Sequence, residues 1–250
     1  MSNRSMTRKL TLLAVAALCA QGALAHTTVR SQGTESVTED NALKIGHGCT
    51  TLEGAKLPVI AQSVVFPTAT PDLSASDSSP VASLAAVIEQ GTIAGLARAI
   101  QDKGVFRTQQ VKKDSLGNMT GFSATEGSLG VDALGRVPFQ FAAPKFVATS
   151  CAKRLLVKIA IADVCIVGSG LADSVQSGKV NLWIPDNGST FSVAGKAQGI
   201  DGIGAPATLT INRNLTTNPL PPSCGAGIDV TVTPSAADVT SSLPIPGVWP

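Results

Sequence analysis

The sequence predicts an all-β protein: a β-sandwich with a helical insertion near residues 81–103. Three observations lead there. First, hydrophobic residues make up 44% of the 250 and charged residues only 14%, which is too apolar for a disordered chain and enough for a core without oligomerisation. Second, 24 Gly and 15 Pro, with 7 Phe, 2 Trp and no Tyr, suit a turn-rich β framework better than a helical bundle. Third, short β-branched runs recur between Gly/Pro turns without the intervening helices that a parallel α/β sheet requires.

The elements follow in order. Asn41–Cys49 (NALKIGHGC) alternates weakly and then reaches a Gly-His-Gly turn. Leu57–Phe66 (LPVIAQSVVF) is rich in β-branched residues and stops at Pro67, which marks a strand. The polar, Pro- and Ser-rich segment Thr68–Pro80 reads as a loop. Leu84, Val87, Ile88, Leu96 and Ile100 then recur near helical spacing, with Gly91-Thr92 interrupting and Gly104 as a stop; this is the helical insertion. Beyond it, Val105–Val111, Val137–Phe141 and Phe146–Thr149 are strands. Arg154–Val167 (RLLVKIAIADVCIV) is the strongest and, being apolar on both faces over part of its length, belongs near a sheet centre. Val180–Ile184, Ala207–Asn212 and Ile228–Thr233 complete the set, and the proline-rich tail Leu243–Pro250 is expected to lie along the surface.

Residues 1–25 read as a signal peptide ahead of a single domain, 26–250. Arg4, Arg8 and Lys9 form a positive start, Leu10–Cys19 is apolar but too short for a stable membrane anchor, and Ala23-Leu24-Ala25 supplies the small residues a signal peptidase needs. Cleavage after Ala25 makes His26 the first residue of a periplasmic or secreted protein. Losing those three cations leaves 16 basic residues against 17 acidic, so a near-neutral, aromatic-poor chain has no electrostatic footprint for nucleic acid. Export also leaves Cys49, Cys151, Cys165 and Cys224, which in an oxidising compartment form two disulfides with three possible connectivities. The nearer thiols, Cys151 and Cys165, are the expected pair, leaving Cys49 for Cys224.

The usual catalytic patterns are missing. No Gly-x-Ser-x-Gly elbow surrounds a serine, and Gly168-Ser169-Gly170 reads as a turn. Gly178-Lys179 lacks the remaining positions of a phosphate loop, and Gly202-Ile203-Gly204 lacks the third glycine of a dinucleotide site. Only His26 and His47 could serve as histidine ligands or bases. His26 is distinctive because a terminal histidine presents a free α-amine beside an imidazole. Together they chelate one metal, the ring through Nδ1, and nitrogen-rich tetragonal coordination favours Cu(II).

Ala25-His26-Thr27-Thr28-Val29, then Leu43-Lys44-Ile45-Gly46-His47-Gly48-Cys49 and Val64-Val65-Phe66-Pro67, resembles the YcnI-like copper-binding domain family. The resemblance covers residues 25–67 and implies an exported β-sandwich whose processed histidine binds Cu(II) in a mono-histidine brace, with a carboxylate and a tryptophan completing the surroundings. It implies His26 as the bidentate ligand, Glu35 or Glu39 as the carboxylate, and Trp183 or Trp249 as the aromatic wall. His47 stays open between a second ligand and a turn histidine that holds the backbone beside Cys49. The expected role is copper buffering or delivery, with another periplasmic copper protein as a partner, rather than catalysis. The alternatives are a metal-free structural or adhesive sandwich and a histidine-brace copper oxygenase.

Overall fold

A computed structural model describes residues 26–68 and 70–250; the expected signal segment lies outside the described residues. The chain forms two sheets and a small hairpin. The smaller sheet runs in the order β1 (Thr28–Val29), β3 (Thr38–Ile45), β11 (Gly135–Ala142) and β8 (Ala97–Ala99). The larger follows the path β2 (Gly33–Thr34), β14 (Ala207–Asn212), β12 (Ala152–Val164), β6 (Ala61–Val65), β10 (Met119–Gly127) and β9 (Phe106–Lys113). Onto this path β13 (Val180–Trp183) and β15 (Ile228–Thr233) pair with β12, and β7 (Asp72–Ala75) pairs with β15. The hairpin is β4 (Cys49–Thr50) with β5 (Lys56–Leu57).

Strand β12 organises the large sheet. Its first half is flanked by β14 and β15, its second half by β6 and β13. Successive side chains of a strand point to opposite faces, and from Ile159 onward both faces of β12 are buried. Leu155, Val157, Ile159 and Ile161 enter the core shared with the small sheet, where Phe66 lies 5.6 Å from Phe139 and 6.4 Å from Phe141. Ala160, Ala162 and Val164 face a second cluster, covered by α1 (Thr190–Ala197), α2 (Ala236–Ser242) and the C-terminal tail. These two cores explain why the strand is apolar on both faces over part of its length, and the interlocked faces make the molecule a β-sandwich.

Most of the expected strands are present with shifted boundaries, and β14 and β15 keep their expected limits. Several expectations are corrected. Residues 81–103 are not helical: they hold one 3-10 turn, Leu84–Ala86, and the edge strand β8. Gly91 and Gly95 have φ of 66° and 82°, which ends a helix, yet Leu84, Val87, Ile88 and Ile93 still bury in the main core. The spacing recorded burial, and an irregular segment satisfies it. Phe146–Thr149 is not a strand, although Phe146 makes a single bridge to Ile88. Part of the predicted Thr68–Pro80 loop is β7, and β10 was unforeseen. The tail does not lie on the surface: Leu243, Ile245 and Trp249 are buried.

The disulfides are Cys49–Cys165 and Cys151–Cys224, not the expected local pair. Cys151 precedes β12 and Cys165 follows it, so an extended strand of 13 residues holds them about 40 Å apart. Nearness in sequence is the wrong guide when an extended strand intervenes. Two disulfides indicate an oxidising, non-cytoplasmic compartment. Among the described residues no helix is long and apolar enough to cross a membrane.

Candidate metal centre

Beyond Ile161 the inward-facing row of β12 changes character. The next inward position is Asp163, fully buried and set in register against Gln62 of β6 and Asn181 of β13. A buried carboxylate needs hydrogen-bond donors, and three side chains supply them. Gln62 Nε2 donates to Oδ1 at 2.7 Å, while Thr27 Oγ1 and Trp183 Nε1 donate to Oδ2 at 2.6 and 2.8 Å. Burial pushes the Asp163 carboxyl above its ordinary range, and the three donors and nearby His47 oppose that.

The partners of Asp163 bring the segment that begins at His26 to this place. Thr27 is buried, and the next residues form β1 against Leu43 and Lys44 of β3. His26, directly before Thr27, is exposed, with its ring 4.6 Å from that of Trp183. The indole therefore binds Asp163 through its nitrogen and offers its ring to His26.

His47 stands on the other flank. Gly48 packs so tightly that a Cβ there would fall 1.7 Å from the Leu57 carbonyl oxygen, so the turn after His47 requires glycine. Cys49 is tied to Cys165 at the end of β12. The His47 Nδ1 meets the Gly48 carbonyl oxygen, an acceptor only, so Nδ1 carries the proton. That leaves Nε2 as the lone-pair nitrogen, and it is buried without a hydrogen-bond partner. His47, Asn181, Trp183 and Asp201 line one cavity of about 180 Å³.

The structure thus gathers His26, His47 and Trp183 and separates the other predicted residues from them. Glu35 is buried elsewhere, accepting from the backbone N–H groups of Phe146 and Asn214 and from Asn218 Nδ2, at 2.9, 2.7 and 2.9 Å. Glu39 lies five residues along β3 from Lys44, the partner of Thr28, about 17 Å from Thr28. Trp249 is buried in the second cluster, stacked on Phe191 at 5.0 Å. Among the described residues no three or more His, Cys, Asp and Glu side chains form a metal-holding group, so a metal here would depend on the terminal amine as a donor. Asp163, Thr27 and Gln62 were missed. The available signal was a lone carboxylate inside the most apolar strand of the chain.

No protein-family model matches this chain, and neither does any curated protein. Among solved structures it is similar to an uncharacterized protein from Nocardia farcinica whose crystal structure reveals an immunoglobulin-like fold. The two share 14% identity and a TM-score of 0.38, over 75% of this chain and 98% of the other.

Proposed function

We propose that this chain is an exported copper-binding protein, which chelates Cu(II) through the α-amine and Nδ1 of His26 once the Ala25–His26 bond is cut. It serves copper buffering or delivery rather than catalysis. The observation that carries this reading is the placement of the two histidines: exposed His26 lies on Trp183, and His47 lines a cavity with the same indole. The donor chemistry fits. The orphaned Nε2 of His47 has its tautomer set by the Gly48 carbonyl, an arrangement typical of a metal-ligating imidazole. The terminal amine and Nδ1 of His26 offer two nitrogen donors on one residue, which suits Cu(II) ahead of the other divalent ions.

The chain's own residues then have distinct tasks. Thr27 fixes the backbone next to the chelating residue, Trp183 walls one side against water, and the cavity beside His47 leaves a way in for an exchanging ligand. Bound copper would supply a Lewis-acidic, exchangeable centre there. Export to a periplasmic or extracellular location is part of the same reading, and the two disulfides support it.

The test compares the protein beginning at His26 with one carrying a single additional alanine before it. Intact mass first establishes the processed start. One equivalent of Cu(II) then gives the first form a nitrogen-rich tetragonal EPR spectrum, and the second binds far more weakly. Equal affinity in the two forms removes the amine as a ligand and ends this reading.

A further inference from the structure

We infer that Asp163 is the positioning residue of this centre, one buried carboxylate that sets both the terminal strand carrying His26 and the indole wall beside it. This rests on the copper reading for its purpose, but its geometry stands apart from any metal. A single oxygen, Oδ2, accepts from both Thr27 Oγ1 and Trp183 Nε1, at 2.6 and 2.8 Å. The residue after the chelating histidine and the ring against that histidine are therefore referenced to one atom. Oδ1 is held by Gln62 Nε2 at 2.7 Å, and the register of β12 between β6 and β13 fixes the carboxylate itself.

Each part of this arrangement has a physical consequence. Chain termini fray unless tied down, and β1 is only two residues long, too short to hold its start by ladder bonds alone. The Thr27 hydroxyl, buried on a charged acceptor, adds the missing constraint at the last position before His26. Hydrogen bonds to charged acceptors are roughly twice as strong as neutral ones. A ligand already held in place loses less freedom on binding, so the contact raises affinity without touching the ion.

The experiment uses protein matured to begin at His26, with Thr27→Val, Thr27→Ser and Trp183→Phe variants. Valine keeps the shape of threonine and removes the hydroxyl; serine keeps the hydroxyl. Without metal, the nuclear Overhauser contact between the His26 ring and the Trp183 indole is expected in the parent, lost in Thr27→Val and restored in Thr27→Ser. With Cu(II), Thr27→Val weakens binding about tenfold, the scale of one hydrogen bond to a charged acceptor. It also changes the EPR hyperfine splitting, which a loss of general stability would not do, and Thr27→Ser restores both. Trp183→Phe, which keeps an aromatic ring but loses the N–H, changes the splitting as well. Thr27→Val with parental affinity, spectrum and ring contact overturns the inference. If the parent binds no Cu(II), the copper reading fails by itself, and the metal-free contact decides: lost in Thr27→Val it upholds the role of Asp163, retained it overturns it.

Discussion

Two buried carboxylates in this molecule have the same number of hydrogen bonds and different surroundings. Glu35 accepts two of its three from backbone N–H groups, those of Phe146 and Asn214, and the third from Asn218. Arg213 backs the same region, donating to the carbonyl oxygens of Ser150 and Asn218 and to Asn218 Oδ1. Asp163 accepts all three from side chains, and two of these lead directly to His26. A carboxylate saturated by backbone donors anchors loops. One saturated by side chains sets the positions of those side chains, so its neighbours identify its task. The sequence resemblance pointed to Glu35 as a ligand, but its oxygens are already committed to the fold.

The sharpest way to break this comparison is to truncate each carboxylate. Glu35→Ala strands two backbone donors and an amide in a closed environment, and should cost about 3 kcal/mol in chemical denaturation. Copper affinity of the folded fraction should be unchanged; a loss of affinity would return Glu35 to the centre. Asp163→Ala should cost less stability, about 2 kcal/mol, because one of its donors, Trp183, lines a cavity that water can enter. It should weaken Cu(II) binding, which titration calorimetry reads directly.

A partly buried cation extends the contrast. Lys112 Nζ donates to Ser63 Oγ at 2.6 Å and to the Ser242 carbonyl oxygen at 2.5 Å, without a carboxylate partner. Burial pushes its pKa down from 10.5 to about 7. Between those values the unfolded chain binds more protons than the folded one, so stability rises with pH from about 7 toward 10.5. Below about pH 7 both states are protonated and the slope vanishes. Denaturation midpoints across this range should rise in the parent and flatten in Lys112→Met, with a remaining slope from Lys158, which burial also lowers. The chain has no tyrosine and its four described cysteines are disulfide-bonded, so neither residue type masks this window. The smallest effect belongs to Glu39→Gln, which should change stability by no more than about 0.5 kcal/mol and leave Cu(II) affinity intact. A measurable loss of copper would restore Glu39 as a ligand.

Much of the scaffold was readable along the chain, and part of the centre with it. The alternation in Arg154–Val167 marked β12, and a histidine after a signal-like segment marked His26. Trp183 was one of two candidate walls, and only the pairing of Ile161 with Trp183 brings it to the terminus while Trp249 stacks on Phe191. His47 was visible as a histidine in a glycine turn; its unpartnered Nε2 depends on how Gly48 packs beneath Leu57. Residues 81–103 misled because apolar spacing reports burial, and two positive-φ glycines send the buried chain along an irregular path.

The sequence by itself determined the class of fold and most strand positions. These depend on local patterns, which survive without knowledge of distant neighbours. The tertiary structure alone decided the cysteine pairing, the burial of the tail, the separation of Glu35 from the histidines and the meeting of Thr27, Gln62 and Trp183 on Asp163. Those contacts join residues 20 to 136 positions apart. Strand register sets them, and no local pattern records register between segments so distant.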